Sequence, residues 1–183
     1  MSFGLAKKYS ILYNSSMGKK KIQNGGLSFR PMTNRDLQFL YELYASTRAE
    51  EMKATDWEAQ QIAEFLGMQF NLQHTQYLQN YPDASYEIIL RETQPIGRLY
   101  VDRRPKEIRI LDIAFLPDFC GKGFGSGIIK ELIAESAKKK LPLNLHVERN
   151  NPAFRFYKRL GFKKVAENDF YILMEIVPKK KTK

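Results

Sequence analysis

Apolar positions along this chain follow two rhythms, one of period two and one of period three to four, and their order sketches a fold. "LSFRPM", residues 27–32, alternates as a short strand, and Thr33 is placed to cap a helix whose apolar positions Leu37, Leu40, Leu43 and Tyr44 recur at helical spacing. A second helix is expected from about Trp57 to Gln79, where Ile62, Phe65, Leu66, Phe70 and Leu72 give a broad apolar face before Pro82 ends it. Three segments then follow in quick succession: "SYEIILRE", "PIGRLYVDRR" and "EIRILDIAFL". Only short turn-forming stretches separate them, which predicts an antiparallel meander.

Past a cluster of glycines, Ile128, Ile129, Leu132, Ile133 and Ala137 mark a helix. Its last turn carries Lys138, Lys139 and Lys140, which suits the negative end of the helix dipole, and Pro142 stops it. "LNLHVE" reads as the next strand, "NPAFRFYKRL" as a short helix with Pro152 in its first turn and Gly161 closing it, and "FYILMEIV" as a final strand. The order β-α-α-β-β-β-α-β-α-β, with a further short strand near the end, predicts an α/β (α+β) fold: a mixed sheet flanked by helices.

Composition changes this picture little. At 183 residues, 43% of them hydrophobic, the chain suits one globular domain, expected over residues 27–178. The net charge of +10 suggests nucleic acid until its distribution is read. Five of the 30 basic residues precede Leu27 and four follow Pro178, so the body between carries 21 against all 20 acidic ones. The charge therefore belongs to two expected solvated basic ends, residues 1–26 and 179–183, and nucleic-acid binding is not expected. No apolar run approaches the ~18 residues a membrane span needs and no secretory signal is visible, so the expectation is a cytoplasmic chain with no membrane partner, either a monomer or a homodimer. One cysteine, Cys120, and two histidines, His74 and His146, make an internal disulfide impossible and a structural metal site unexpected.

The chemistry concentrates at "FLPDFCGKGFGSGII", residues 115–129, where glycines crowd the junction of a strand and a helix. A phosphate loop of the G-x-x-x-x-G-K-[ST] type is excluded because no Lys-Ser or Lys-Thr pair follows the glycines. A dinucleotide fingerprint starting at Gly123 requires glycine where Ile128 stands, and the preceding meander is not the βαβ unit it needs. What remains is a helix N-terminus with free N–H groups and little side-chain bulk, which is an anion site.

"LDIAFLPDFCGKGFGSGIIKELI" resembles the acyl-CoA-binding motif of the GNAT superfamily of N-acetyltransferases, whose [Q/R]-x-x-G-x-[G/A] pattern falls here on Cys120, Gly121, Lys122, Gly123, Phe124 and Gly125. Downstream, "HVERNNPAFRFYKRLGF" resembles the family's N-x-x-A-x-x-x-Y pattern, carried by Asn150, Ala153 and Tyr157 with Gly161 and Phe162 after it. The likeness covers roughly Leu27 to Val177. It implies a GNAT-like, mostly antiparallel sheet of six to seven strands and acetyl-CoA as cosubstrate, with no metal. It further implies CoA diphosphate on the amides of Cys120, Gly121, Lys122, Gly123, Phe124, Gly125 and Ser126, and the pantetheine arm along Phe115, Leu116 and Asn150. Cys120 departs from the family's Gln or Arg, which leaves only its amide for that role.

The implied activity is acetyl transfer to a primary amine of a small molecule or peptide by direct attack; the alternative is a CoA-binding domain of the same fold without turnover. Tyr157 then has two readings, an acid that protonates the departing thiolate or a member of the apolar stripe of its short helix. Asp112 and Glu107, on the strand that leads to the glycines, are candidate bases, and equally ordinary strand carboxylates. Arg98 and Tyr100, two apart on one strand and joined by Arg103, are candidates for holding an acidic acceptor, or solvent-facing strand positions. The long helical stretch with Trp57, His74, Tyr77 and Tyr81 is expected to supply much of the acceptor pocket.

Overall fold

A computed structural model describes Lys20–Lys21 and residues 26–178. The expected basic ends, 1–26 and 179–183, lie outside the described residues except for Lys20, Lys21 and Gly26. In chain order the strands are β1 (Lys20–Lys21), β2 (Leu27–Pro31), β3 (Ser85–Arg91), β4 (Gln94–Arg103), β5 (Ile108–Phe115), β6 (Leu143–Glu148), β7 (Lys163–Glu167) and β8 (Tyr171–Ile176). The helices are α1 (Leu37–Thr47), α2 (Ala49–Lys53), α3 (Ala59–Asn80), α4 (Phe124–Lys139) and α5 (Ala153–Arg159). Seven strands of useful length, with the two-residue β1 at one edge, form one sheet in the order β1-β2-β3-β4-β5-β6-β8-β7. Among the described residues β5 and β6 make its one parallel pairing. The expected element order is present, with the short α2 added.

Helices cover both faces. On one, α4 and α5 bury Ile128, Ile129, Leu132 and Tyr157 against Ile89, Val101, Ile108, Ile110 and Leu145. On the other, α1 and α3 bury Leu40, Tyr44, Leu66 and Phe70 against Ile88 and Leu90, and a neighbouring cluster gathers Tyr86 and Tyr100 under Tyr77 and Tyr81. Ile88, Ile89 and Leu90 are consecutive and all buried because β3 is covered on both sides. Leu72, expected on the buried face of α3, is instead 53% exposed. It stands two residues past Phe70, about 200° round the helix from it at 3.6 residues per turn. Thr33 does begin the first helical segment, where its main-chain N–H and hydroxyl both bond Asp36 Oδ2, at 2.8 and 2.9 Å, and Arg30 holds the same carboxylate.

One irregularity decides where the chemistry lies. The β4–β5 ladder slips between Tyr100↔Asp112 and Val101↔Ile110, leaving Leu111 as the extra residue of a bulge. Before it, Ile108 and Ile110 face the α4 and α5 side; beyond it, Ile113 and Phe115 do. The extra residue therefore sends Asp112 to the α1 and α3 side, the side of Tyr100, although it stands only two residues from Ile110. The same bend ends the β5–β6 ladder, whose last pair is Ile110↔Leu145, so the C-terminal half of β5 parts from β6.

β4 packs closely on β5 at Gly97, opposite Phe115. A Cβ there would lie 2.3 Å from the Ala114 carbonyl oxygen and 3.1 Å from the Phe115 ring. Gly97→Ala is expected to destabilise the fold by about 1–3 kcal/mol, the usual range for overpacking, as read from urea unfolding. An unchanged midpoint would mean the two strands separate at no cost.

Candidate functional site

β5 runs out through Leu116 into a single turn of 3-10 helix, Pro117–Phe119, and then the glycine loop. Gly121 and Gly123 have φ of +73° and +84°, a left-handed backbone that side-chain-bearing residues adopt at a cost, and a Cβ added at either meets nothing within 4 Å. Gly123 caps α4, and the first bond of that helix is Gly127 N–H to the Gly123 carbonyl, 3.1 Å. Among the described residues the N–H groups of Gly121, Lys122, Gly123, Phe124, Gly125 and Ser126 have no intramolecular acceptor. Six consecutive donors thus stand at the positive end of a 16-residue helix, over open space. The Lys122 ammonium sits 5.6 Å over the Phe119 ring, and the Arg91 guanidinium, which sequence reasoning missed, sits 5.9 Å over the Phe124 ring.

Cys120 does not join this set. Its N–H closes the short turn on the Pro117 carbonyl, 3.1 Å, so the donor run begins one residue later than the motif suggests. Its thiol is exposed, with Sγ 3.6 Å from the Phe115 and Leu116 carbonyl oxygens. Leu116 is occupied as well: its N–H bonds the Ile96 carbonyl and its carbonyl accepts the Phe119 N–H, both at 2.9 Å.

That Leu116–Ile96 bond fixes which main-chain groups remain. Opposed residues in an antiparallel ladder alternate between hydrogen-bonded and non-bonded pairs. With Ile96 and Leu116 bonded, the next pair, Gly97↔Phe115, and then Leu99↔Ile113 are non-bonded pairs. Phe115 and Ile113 therefore turn their N–H and C=O groups to the edge that has parted from β6. Of the expected pair, Phe115 has its main-chain groups on that edge and Leu116 does not; Ile113, not foreseen, has them there too.

The parting of β5 from β6 opens a cavity of about 590 Å³ that reaches from the strand gap to the ends of α1 and α3. Tyr157, from α5, lines it. Its ring packs edge-on against Phe156 and Phe162 and its residue is 8% exposed. Burial first, and then the nearby charge of Asp112, push its phenol up to about 12, so it stays protonated at physiological pH. Among the described residues its hydroxyl has no hydrogen-bond partner, which leaves that proton available to a group in the cavity.

Asp112 lines the same cavity and Glu107 does not. Arg98 Nη2 donates to Asp112 Oδ2 at 2.6 Å, and the Tyr77 hydroxyl lies 3.4 Å from that same oxygen. Glu107 has both oxygens engaged: Oε1 by Arg109 at 3.2 Å and Arg104 at 3.5 Å, Oε2 by Asn144 at 2.8 Å. Arg98, expected to await an acidic acceptor, is instead 4% exposed and paired to Asp112. Tyr100 is fully buried, edge-on to Tyr77 and Tyr86, and takes no part in the cavity wall. Arg103 pairs with Glu135, whose carboxyl is held down to about 2.

Tyr77 and Tyr81, at the end of the long helix, line the cavity; Trp57 and His74 pack instead against Phe65 and Phe70. The wall also contains Arg48, whose Nη1 bonds Glu51 at 2.9 Å while Nη2 reaches Glu148 on β6 at 3.3 Å. Asn150 is exposed and borders an adjoining hollow with Phe170; it is its neighbour Asn151 that lines the cavity, with Oδ1 accepting the Ala153 N–H at 2.9 Å. An Asn just before Pro152 is a helix-capping signal legible in the sequence. Among the described residues no group of three His, Cys, Asp or Glu is arranged to hold a metal ion, and no helix is long and apolar enough to cross a membrane.

Residues 82–164 match the family model of the acetyltransferase (GNAT) domain. The uncharacterized N-acetyltransferase CgeE of Bacillus subtilis (strain 168) is 35% identical over 71 residues, 37% of this chain and 27% of that protein, so the match spans about a quarter of the relative's length. Among solved structures, the PaiA N-acetyltransferase of Thermoplasma acidophilum in complex with coenzyme A superposes with a TM-score of 0.62 at 19% identity, over 82% of this chain and 98% of that one. The ribosomal-protein-S18-alanine N-acetyltransferase of Escherichia coli gives 0.58 at 17% identity, over 84% and 96%. At these identities the structural likeness concerns the fold.

Proposed function

We propose that this chain, whose residues 82–164 match the acetyltransferase (GNAT) domain, transfers the acetyl group of acetyl-CoA to a primary amine of a small molecule or peptide by direct attack. The observation that carries the proposal is the run of six unengaged N–H donors at Gly121–Ser126, above space that any Cβ at Gly121 or Gly123 would begin to fill. A diphosphate suits such a nest because several donors and the helix dipole act on one doubly charged group.

When bound, acetyl-CoA supplies an acyl carbon activated as a thioester, whose C–S bond breaks as the C–N bond to the amine forms. The remaining roles fall to the chain. The Phe115 and Ile113 main-chain groups on the free edge of β5 align the pantetheine arm, and their N–H groups polarise the thioester carbonyl. Asp112 accepts a proton from the incoming ammonium, directly or through water, which frees the nitrogen lone pair. Tyr157 gives its proton to the departing sulfur and is restored by the second proton that the nitrogen sheds on becoming an amide. Of the two candidate carboxylates, Asp112 is the base because it lines the cavity, whereas Glu107 is engaged by Arg104, Arg109 and Asn144.

The cavity wall sets Arg48, Arg98 and Arg109 against Glu51, Asp112 and Glu148, so its formal charge is balanced. That balance favours an acceptor recognised by its amine and by the tyrosine rings around it, rather than one drawn in by a second, strongly acidic group. Calorimetry with CoA, followed by acetyl-CoA consumption across a panel of amines and peptide N-termini, tests the proposal. One CoA per chain and turnover on part of the panel are expected. Binding with no turnover would leave the non-catalytic CoA-binding domain, and absence of binding would end both readings.

A further inference from the structure

The Arg98–Asp112 pair is unusual in its asymmetry. Both contacts to the carboxylate converge on Oδ2: Arg98 Nη2 at 2.6 Å and the Tyr77 hydroxyl at 3.4 Å. Oδ1 has no partner among the described residues, and Asp112 lines the cavity. Arg98 is itself fixed on several sides. It stands one cross-strand diagonal from Asp112, opposite Ala114 as Tyr100 is opposite Asp112. Its Nη2 also bonds Gln73 Oε1 at 3.1 Å and its guanidinium lies 5.3 Å over the Tyr100 ring. Its Nε is buried with no partner. A buried guanidinium left with an unmet donor is costly, and replacing a buried ion pair by apolar side chains is often neutral or stabilising. Folding alone gives little reason for this arrangement.

We propose that Arg98 is a positioning residue for acyl transfer: by pinning Oδ2 it fixes the rotamer of Asp112, so that the free Oδ1 edge is what the cavity offers to the ammonium of the acceptor. This rests on the reading of Asp112 as the group that meets the amine. It accounts for two features together, a carboxylate engaged on one oxygen only and a cation that lines the cavity yet turns its charge to the carboxylate. The charged and titratable groups around the carboxylate are Tyr77 from α3, Arg98 and Tyr100 from β4 and Tyr157 from α5, with Arg109 and His146 on the cavity wall. Of these, Arg98 is the cation in contact with it. The phenols stay neutral, since burial foremost raises all three, and His146 is lowered, by burial first and then by Arg109.

The test uses the full chain in wild type, Arg98→Met, Arg98→Lys, Asp112→Asn and the double variant Arg98→Met with Asp112→Asn. Calorimetry with CoA checks that each variant is folded, and Arg98→Met is expected to bind CoA within about threefold of wild type. Its kcat with phenethylamine is expected to fall about 10–100-fold from lost orientation, with KM for acetyl-CoA unchanged, and Arg98→Lys to recover most of that loss. In the Asp112→Asn background Arg98→Met is expected to cost about twofold or less, because the two side chains act as one unit. A kcat within about threefold of wild type in Arg98→Met overturns the proposal, as does an equal fall with and without the Asp112 carboxylate, since a purely structural pair behaves that way. Wild type that binds CoA but consumes acetyl-CoA with no amine overturns the transferase reading and the pairing's role with it, whereas turnover that Arg98→Met leaves unchanged overturns the pairing alone.

Discussion

Replacing Tyr157 by phenylalanine is expected to lower kcat by about 10²–10⁴-fold, the range for loss of a general acid, while CoA affinity and the unfolding midpoint stay near wild type. The substitution removes one oxygen and leaves the ring, so the edge-on contacts with Phe156 and Phe162 persist. Because the hydroxyl has no partner among the described residues, its loss strands no buried donor or acceptor, and the stability cost stays small. The acid is weak: burial and Asp112 raise it to about 12. Burial raises a thiol in the same sense, so proton transfer to the sulfur stays uphill by roughly the 1.5 pH units that separate free phenol from free thiol, about 2 kcal/mol. That gap is easily met as the C–S bond breaks. The sign for pH follows: the phenol is protonated throughout the neutral range, so kcat of the wild type shows no falling alkaline limb below about pH 10. A variant within threefold of wild type would return Tyr157 to the apolar stripe of α5.

Why the order of elements was legible and the site only partly so comes down to what local pattern encodes. Leu40, Leu43 and Tyr44, or Ile128, Ile129 and Leu132, report burial directly, since a helix repeats every 3.6 residues and these positions fall on one stripe. The glycine loop was legible for a similar reason, because Gly121 and Gly123 name backbone states that few other residues adopt. The pairing of Arg98 with Asp112 depended on register. Nothing local to "GRLYVDRR" states that Arg98 faces Asp112 fourteen residues on, and without that pairing an arginine beside a tyrosine reads as a site for an acid. One signal was present and unused: the apolar positions of "IRILDIAF" slip phase, from Ile108 and Ile110 to Ile113 and Phe115, which is how a bulge appears in sequence. Reading it would have put Asp112 opposite the core face and predicted the parting of β5 from β6. The engaged amides of Cys120 and Leu116 had no such signal, since a single 3-10 turn leaves no periodicity.

Gly123→Val is expected to weaken CoA binding by about 10²–10⁴-fold in calorimetry. Each hydrogen bond from a main-chain N–H to a charged phosphate contributes about 1.5–3 kcal/mol, so turning two donors of the six away reaches that range. Two effects act together. Valine is strained at φ +84°, which drives the loop toward a conformation that no longer directs its N–H groups to one point. Its branched side chain also projects into the space over the amides, where the added Cβ meets nothing within 4 Å. Since that space is open, no clash inside the protein adds to the backbone strain, and unfolding is expected to shift by only about 1–2 kcal/mol. A control separates the nest from simple charge: Lys122→Ala removes an exposed cation and keeps its N–H, so its loss of affinity should be about tenfold or less and should shrink as salt is added. If instead Gly123→Val binds CoA normally and Lys122→Ala does not, the diphosphate is held by side-chain charge, and the six amides above α4 have no part in acyl transfer.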